Sequence, residues 1–244
     1  VASIIYTSGT TGEPKGAVLT HRNIVFDAVS AAEVIAPTPR DTTLSFLPLS
    51  HIFERTVLYL AIHCGVTVCY AESLETVAAN LGEVRPTLMT AVPRFFEKVH
   101  ERIMKARAKL SPVKQRIFDW ALPVGRAWAE ARDRGERVSP LLALQHRIAD
   151  RLVFSKWRDV VGNRLERFVS GGAPLSPDLA YVFWGAGIPI LQGYGLTETS
   201  PVIAVNSLAA NRIGTVGRPI PDVEVRIAAD GEILTRGPHV FKGY

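Results

Sequence analysis

The first 94 residues alternate short apolar runs with stretches of helical spacing. Four runs predict strands: ASIIY, TTLSFLPLSH, GVTVCY and TLMTAV. The first of them, residues 2–6, is expected to be a buried strand that leads into a Gly/Thr loop. Residues from Asn23 to Glu33 and the segment SLETVAANLGEV carry helical spacing between the strands. Short strands that alternate with helices favour an α/β fold with parallel strand pairs.

Residues 95–160 have a different pattern, in which apolar residues recur every three or four positions with charges between them. This spacing predicts long helices whose apolar stripes face the core. Two stripes support the prediction, Phe96, Val99, Ile103 and Met104 in one and Leu144, Ile148, Leu152 and Val153 in the other. Three prolines are expected to mark or kink the helix boundaries, namely Pro112, Pro123 and Pro140.

The strand pattern returns after residue 165. LERFVSGGAPLS predicts a strand that ends in small residues, followed by a helix that begins near Ser176, and IPILQGYG predicts another strand. Near the end, Asp230–Gly231 is a turn signal between two alternating runs, so VEVRIAADGEILTRG predicts a β-hairpin. The whole pattern predicts an α/β fold with a mixed, mostly parallel sheet flanked by helices, a helical stretch at about 95–160 and a C-terminal hairpin.

Composition fits a globular chain with a substantial core. The 244 residues are 47% hydrophobic and 21% charged, and no apolar run approaches the roughly 20 residues of a membrane-spanning helix. Cys64 and Cys69 are expected to be reduced, buried thiols. Neither their spacing nor the six histidines form a metal-ligand pattern, so the sequence predicts no structural metal site.

The net charge of +5 is concentrated in one segment. Residues 97–167 contain 17 Lys and Arg against 9 Asp and Glu, whereas the remainder contains 11 against 14. Two interpretations stay open for this excess of eight positive charges. It either contacts an anionic membrane surface or forms a solvated helix face. Nucleic-acid binding is a weaker third interpretation because the segment contains no recognition motif.

The loop YTSGTTGEPKG combines glycines, hydroxyls and one lysine. Glycines allow successive N–H groups to point into one concavity, while Thr7, Ser8, Thr10 and Thr11 add hydroxyl donors and Lys15 adds a positive charge. These are the groups that bind a polyphosphate. The string differs from the common P-loop because Lys15 is followed by Gly16 and the hydroxyls come early. An ordinary glycine-rich turn is the structural alternative.

QGYGLTET offers a second set of ligand-binding groups. Gly193 and Gly195 flank Tyr194, which predicts a tight turn with an exposed aromatic face on which a purine can stack. Thr197 and Glu198 follow, and the carboxylate is a suitable oxygen ligand for Mg²⁺. A surface turn with an exposed tyrosine and glutamate is the structural alternative.

Three further strings complete the candidate chemistry. SGGAPLS allows close backbone approach to a ligand at a strand end, and LPLSHIFER places His51 in a loop just past a strand. A single histidine is more often structural than catalytic. GEILTRGPHVFKGY is expected to be mainly structural.

These five strings, in this order, resemble the adenylate-forming superfamily of acyl-CoA synthetases, luciferases and peptide-synthetase adenylation domains. Within it, LPLSHIFER, the helical stretch after VPRFFEKV and VSGGAPLS look like long-chain fatty-acyl-CoA ligases. The resemblance covers essentially the whole chain and implies the central part of the large domain. It implies three parts: a phosphate-loop part at 1–94, a basic helical segment at 95–165, and a nucleotide-motif and hairpin part at 166–244.

Such enzymes use ATP and Mg²⁺ to convert a fatty acid to an acyl-adenylate, then transfer the acyl group to coenzyme A. The resemblance implies that the β- and γ-phosphates bind to Thr7, Ser8, Gly9, Thr10, Thr11, Gly12 and Lys15. It implies that Gly172, Ala173 and Pro174 lie by the adenine, and that the base and the acyl carbonyl are surrounded by Gln192, Gly193, Tyr194 and Gly195. Thr197 would meet the α-phosphate, Glu198 would bind Mg²⁺, and His51 would lie beside the acyl carboxylate and the approaching thiol.

The family pattern also contains parts that this sequence lacks. A ribose-binding aspartate, a hinge and a small C-terminal domain with the adenylation lysine are expected to follow Tyr244, and an N-terminal portion is expected to precede Val1. The chain is therefore expected to be a fragment that does not complete the reaction alone. The parent is expected to be cytoplasmic, with peripheral contact at the inner face of the membrane as the open alternative.

Two other functions stay open at this stage. One is a fatty-acyl-AMP ligase, or another adenylating enzyme, that loads a carrier protein instead of coenzyme A. The other, from a different class, is a non-catalytic nucleotide-binding or interaction module. The intact phosphate loop and Glu198 argue against the second.

Overall fold

A computed structural model describes residues 1–8 and 13–244. The strands are β1 (Ser3–Ser8), β2 (Pro14–Leu19), β3 (Thr42–Ser45), β4 (Thr67–Tyr70), β5 (Leu88–Ala91), β6 (Arg167–Ser170), β7 (Ile190–Gly195), β8 (Val202–Val205), β9 (Arg218–Pro219), β10 (Glu224–Ile227) and β11 (Ile233–Arg236). The helices are α1 (His21–Ile35), α2 (Ile52–Cys64), α3 (Val77–Val84), α4 (Pro93–Ala108), α5 (Pro112–Asp133), α6 (Pro140–Ala149), α7 (Ser155–Val160) and α8 (Pro177–Gly185). A π-helical turn, Asp150–Phe154, joins α6 to α7.

The main sheet is mixed, as the sequence predicts. Its order is β5-β6-β7-β8-β9, with parallel pairing from β5 to β7 and antiparallel pairing from β7 to β9. The parallel pair β3–β4 lies beside β5, where the N–H of Thr87 donates to the carbonyl of Thr42. The predicted C-terminal hairpin is confirmed as the antiparallel pair β10–β11. The parallel strands therefore end together at one edge, and the candidate site lies there.

A capping box fixes the start of α1. The Thr20 hydroxyl accepts from the N–H of Asn23, and the Asn23 side chain accepts from the N–H of Thr20. The Asn23 amide also donates to the carbonyls of Pro238 and Val240, at 2.7 and 2.8 Å. One side chain thus joins the beginning of α1 to the C-terminal segment, which brings residues 240–244 next to the opening loop.

Aromatic rings form the centre of the largest core. The ring of Phe96 on α4 is fully buried, and its centroid lies 5.0 Å from that of Phe168 on β6 and 5.7 Å from that of Phe183 on α8. Both contacts are edge-to-face, which is a favoured geometry for aromatic pairs. This cluster attaches the helical stretch to the main sheet.

Close approach of two glycines brings α5 against α8. A Cβ on Gly185 would lie 2.6 Å from the backbone of Gly125, and a Cβ on Gly125 would lie 2.6 Å from the ring of Phe154. Neither position has room for a side chain. α5 and α8 are therefore in close backbone contact, and the predicted helical region at 95–160 is confirmed as α4 to α7.

Several local predictions were wrong. Residues 2–6 are not a buried strand. Within the described residues β1 pairs with β2 alone, and it buries Ile5 while leaving Ile4 and Tyr6 exposed. The helix predicted from SLETVAANLGEV begins only at Val77. Cys64 and Cys69 are free thiols but only half-buried, and burial raises the pKa of the Cys64 thiol.

The two predicted stripes behave differently. In α4, Phe96 and Ile103 are buried, and Val99 and Met104 pack against the same core. In the second stripe only Val153 is buried, whereas Leu144, Ile148 and Leu152 are exposed. Helical spacing identifies the apolar face but not whether a neighbouring element covers it. Within the described ranges, no helix combines the length and hydropathy that crossing a bilayer requires.

Truncation of the central aromatic ring tests the core assignment. Phe96→Ala is expected to lower the free energy of unfolding by about 3–5 kcal/mol, because it removes a buried ring and leaves a cavity. Leu144→Ala is the matched control, and its effect should stay within about 0.5 kcal/mol because the side chain is exposed. Urea denaturation of the complete protein measures both. Equal losses for the two variants would contradict the assignment.

Candidate functional site

A cavity of about 410 Å³, here called the site cavity, opens at the carboxyl ends of β5, β6 and β7. This is the edge where open α/β sheets bind their ligands. Nine of the residues singled out from the sequence line it together: Thr7, Lys15, His51, Gly172, Gly193, Tyr194, Gly195, Thr197 and Glu198. The two separate strings of the sequence, the opening loop and GYGLTE, therefore face a single space.

The remaining predicted residues have other positions. Ala173, Pro174 and Gln192 are not in the wall of the site cavity. The predictions for Gly9, Thr10, Thr11 and Gly12 fall outside the described residues, as does the side chain of Ser8. Tyr194 corrects one expectation, because it lies within β7 and is half-buried rather than exposed in a tight turn. Its ring packs beside the smaller core around Val169 and Val205.

Residues 196–201 form a tight connection between β7 and β8. The hydroxyl of Thr199 donates to the carbonyl of Pro201 at 2.6 Å, and the N–H of Leu196 donates to that hydroxyl at 2.9 Å. A Cβ on Gly195 would lie 1.8 Å from the carbonyl oxygen of Pro201, so only glycine fits there. This connection presents Thr197 and Glu198 to the cavity in one short 3₁₀ turn.

Buried side chains from two helices fix the same connection. The hydroxyl of Thr56 on α2 donates to the carbonyl of Ser200 at 2.9 Å. The carboxylate of Asp27 on α1 accepts from the N–H of Val202 at 3.0 Å. Burial raises the pKa of the Asp27 carboxyl well above its ordinary value, and the hydrogen bond from Val202 partly offsets that rise.

The C-terminal segment closes over Glu198. The Tyr244 hydroxyl donates to Glu198 Oε1 at 2.8 Å, and the N–H of Phe241 donates to the Glu198 carbonyl at 2.8 Å. Lys15 Nζ lies 5.3 Å from the centroid of the Tyr244 ring. Hydrogen bonding to the Glu198 carboxylate raises the pKa of the Tyr244 hydroxyl.

Tyr244 is a site residue that the sequence does not predict, because it lies in the C-terminal string GEILTRGPHVFKGY, which was expected to be mainly structural. The contact depends on backbone pairing, because the N–H of Val18 donates to the carbonyl of Gly243 and the N–H of Lys242 donates to the carbonyl of Val18. These bonds join two segments that are more than 200 residues apart. No local pattern in the sequence signals such a pairing.

His51 is the N-cap residue of α2, and it lines the site cavity. Its Nδ1 accepts from the N–H of Phe53 at 3.2 Å, so the imidazole caps the helix and does not lie in a free loop. One turn later, the carboxylate of Glu54 accepts hydroxyl hydrogen bonds from Ser45 at 2.5 Å and from Thr90 at 3.2 Å. Burial raises the pKa of the Glu54 carboxyl, and both hydroxyls partly offset that rise.

The lining of the site cavity combines polar and apolar side chains. Lys15 and His51, both exposed, and the half-buried Glu198 line it together with the half-buried Val57 and the buried Leu60 of α2. An anionic group attached to an apolar body matches this combination. Glu198 offers one carboxylate for a divalent cation, and no group of three metal-binding side chains occurs in the described parts of the chain. One carboxylate together with phosphate oxygens is a common way of binding Mg²⁺, so the side chains present fit a metal–nucleotide complex.

The whole chain matches one known family. Residues 1–244 match the family described as AMP-binding enzyme. The chain is 42% identical over 246 residues to long-chain-fatty-acid–CoA ligase FadD15 of Mycobacterium tuberculosis, covering all of this chain and 40% of that protein. It is 36% identical over 260 residues to long chain acyl-CoA synthetase 6, peroxisomal, of Arabidopsis thaliana, covering all of this chain and 36% of that protein. The chain thus spans about two fifths of the length of these relatives.

Solved structures show the same fold. The o-succinylbenzoate CoA synthetase of Bacillus subtilis, in complex with an acyl-adenylate intermediate, matches with a TM-score of 0.66 at 24% identity, over 98% of this chain and 41% of that one. A long-chain-fatty-acid–CoA ligase from Archaeoglobus fulgidus matches with a TM-score of 0.66 at 23% identity, over 99% of this chain and 43% of that one. The architecture described above is therefore that of adenylate-forming enzymes.

Replacement of the buried carboxylate beside Val202 tests how the connection is held. Because the folded state raises the pKa of Asp27, it binds the proton more tightly than the unfolded state. The stabilisation is therefore full below the unfolded pKa of about 3.9 and declines as the pH rises towards the folded pKa. Asp27→Asn removes this dependence, so the melting temperature of the variant should improve relative to the parent as the pH rises above about 4.

Asp119→Asn is the matched control for that measurement. Hydrogen bonding to Arg107 lowers the pKa of Asp119, so its contribution is present above the unfolded pKa and is lost as the pH falls. The melting temperature of the control variant relative to the parent should therefore change with pH in the opposite direction. The change should be small because the ion pair is exposed. Parallel melting curves for Asp27→Asn and the parent at every pH would contradict the assignment.

Proposed function

This chain belongs to the AMP-binding enzyme family, and on that premise we propose that the protein containing it ligates a long-chain fatty acid to coenzyme A using ATP. The names of the relatives support the substrate class. The observation that carries the proposal is the site cavity, whose lining combines a lysine and hydroxyl groups, a carboxylate and apolar side chains. ATP and a fatty acid need those three environments side by side.

In the first step, the fatty-acid carboxylate attacks the α-phosphate of ATP and pyrophosphate leaves. Two anions approach each other, so their charges must be offset by fixed donors and cations. Lys15, Thr7 and Thr197 all line the site cavity. We assign Lys15 and Thr7 to the outer phosphates, with Ser8, Gly9, Thr10, Thr11 and Gly12 of the same loop. Thr197 is assigned to the α-phosphate.

Mg²⁺ would be held by Glu198 and the phosphate oxygens, and it would neutralise charge on the leaving pyrophosphate. Glu198 Oε1 accepts the Tyr244 hydroxyl, which leaves Oε2 as the oxygen for the metal. The short turn of residues 197–199 and the backbone bond from Phe241 fix the direction of this carboxylate. These contacts supply orientation before any ligand binds.

The base and the acyl carbonyl are assigned to the part of the lining that follows β6 and belongs to β7. Gly172, Gly193, Tyr194 and Gly195 line the site cavity there. Ala173, Pro174 and Gln192 lie next to these residues in the chain and complete the proposed adenine environment.

In the second step, a thiol displaces AMP from the acyl-adenylate. His51 is an exposed residue of the cavity lining, so we assign it to the region where the carboxylate and the thiol approach. A carrier-protein thiol in place of coenzyme A would use the same site. Formation of acyl-adenylate without a coenzyme A-dependent product would favour that acceptor.

Contact with an anionic membrane through residues 97–167 is a second proposal. The exposed Leu141, Leu144 and Ile148 of α6 lie close in sequence to Arg147 and Arg151, which supports it. Such basic and apolar surfaces bind anionic bilayers, and salt weakens the contribution of their charges.

Removal of the loop cation tests the nucleotide assignment. Lys15→Ala in the complete protein should lower fatty-acid-dependent exchange of pyrophosphate into ATP about 100-fold, the usual cost of losing one transition-state donor. Lys109→Ala, an exposed cation at the end of α4 and outside the site cavity, should leave exchange unchanged.

Glu198→Gln tests the metal assignment in the same assay. Exchange should fall, and higher Mg²⁺ should restore part of it because the variant weakens metal binding without filling the cavity. Exchange that is insensitive to both Lys15→Ala and Glu198→Gln would refute the proposed function.

Co-sedimentation with vesicles tests the membrane proposal. The complete protein should bind phosphatidylglycerol vesicles more than phosphatidylcholine vesicles, and raising the salt concentration should weaken that binding. Leu144→Asp together with Ile148→Asp should reduce it further. Binding that depends neither on the charge of the lipid nor on the salt concentration would contradict this proposal.

A further inference from the structure

A second cavity of about 360 Å³, here called the helical cleft, lies among α4, α5 and α7. It has no lining residue in common with the site cavity. Its walls are mainly apolar, with Ile103 from α4, Phe118 from α5 and Val153 from the π-helical turn. All three are buried members of the main core cluster, so the cleft reaches the protein interior. Its volume is within the usual range for small-molecule sites.

The polar groups of the cleft carry one sign of charge. Arg102, Arg107, Lys114 and Lys156 line it, and no Asp or Glu does. Arg107 pairs with Asp119, with Nε–Oδ1 at 2.6 Å. The other three cations have no ion-pair partner among residues 1–8 and 13–244. An apolar space bordered only by cations favours an apolar ligand that bears a negative group.

Trp157 adds an independent observation. Its indole is 3% exposed and lines the cleft, and its buried Nε1 has no hydrogen-bond partner among the described residues. An indole N–H is a donor only, so an acceptor is the one group that can satisfy it. Unsatisfied buried donors are rare and costly in folded proteins, and an ordered water or a bound ligand is one explanation for each of them.

We propose that the helical cleft binds one molecule of a single-chain amphiphile with an anionic head group. The alkyl chain would lie along Ile103, Phe118 and Val153, and the head group would meet Lys114 and Lys156. The site is separate from the nucleotide-binding cavity, so this inference does not depend on the proposed function. A solvated basic face does not account for the apolar interior, and a polyanion such as nucleic acid does not need one.

Photolabelling of the complete protein tests the proposal. The probe is a palmitate analogue with a diazirine near the end of the chain, used below its critical micelle concentration. After irradiation, labelled peptides should come from α4, α5 and α7, and they should persist when a non-hydrolysable acyl-adenylate analogue fills the site cavity. Lys15→Ala should also leave this label unchanged, which separates the cleft from the proposed catalytic site.

Charge reversal supplies matched variants. Lys114→Glu together with Lys156→Glu should reduce cleft labelling about tenfold or more, because two charge-assisted contacts are lost. Arg116→Glu together with Arg151→Glu makes the same change in net charge just outside the cleft and should leave the label intact. Equal loss in both double variants would indicate a general charge effect and would overturn the proposal.

A volume variant keeps the charge constant. Ala106→Trp fills the cleft from an exposed position of α4, so it should abolish labelling without lowering the melting temperature. Three results would overturn the proposal: no label on these helices, label that the acyl-adenylate analogue removes, or label obtained only from a diazirine phosphatidylglycerol in vesicles. The last result would assign the surface to bilayer contact, and the first would indicate that another part of the protein occupies the cleft.

Discussion

The buried hydrogen bonds that hold residues 196–202 are the constraint on which the site depends. Thr56 and Asp27 reach this connection from α2 and α1, and the close approach of Gly195 to Pro201 leaves it little freedom. Helices α1 and α2 also pack against each other, and α1 contacts β8. The side of the connection that faces these helices therefore packs against protein and not against solvent. A carboxylate at Glu198 is thereby aimed before a ligand arrives, which lowers the entropy that binding must overcome.

Two buried carboxyl groups accompany this arrangement, and neither has a cationic partner in the described residues. Asp27 and Glu54 accept hydrogen bonds only from neutral donors, and burial raises the pKa of each. Such groups cost stability when ionised, so a fold optimised only for stability would replace them. Their positions behind the wall of the site cavity fit a different requirement, namely that α1, α2, β3 and β5 keep fixed relative positions. Hydrogen bonds give that directional control, whereas apolar packing alone does not.

Much of the fold follows from the sequence, because periodicity and turn residues act locally. The helix at Asn23–Glu33, the hairpin at Asp230–Gly231 and the helical stretch formed as predicted. Each of the four strands predicted before residue 94 overlaps an observed strand, whereas β2 was not predicted. The errors share another cause. Elements distant in sequence determine three features that local patterns do not predict. These features are the extent to which residues 2–6 are buried, the exposure of Leu144 and the role of Tyr244. Tyr194 lies in β7 because β8 pairs with that strand. The two glycines that flank Tyr194 in the sequence do not indicate this pairing. The motifs therefore predict which residues share the site, whereas the contacts between those residues can be seen only in the three-dimensional structure.

The aromatic core links the two cavities physically. Ile103 lines the helical cleft and belongs to the same packed cluster as Phe96, whose ring contacts Phe168 of β6. Two residues further along that strand, Ser170 lines the site cavity. Protein interiors are packed as densely as crystals, so this cluster is a continuous packed path from α4, which lines the helical cleft, to β6, which ends at the site cavity. Among the described residues, α4 contributes to the lining of the cleft but not to that of the site cavity. Because coupling of affinities requires two arrangements of the elements between the sites, the packed path alone does not make α4 a switch.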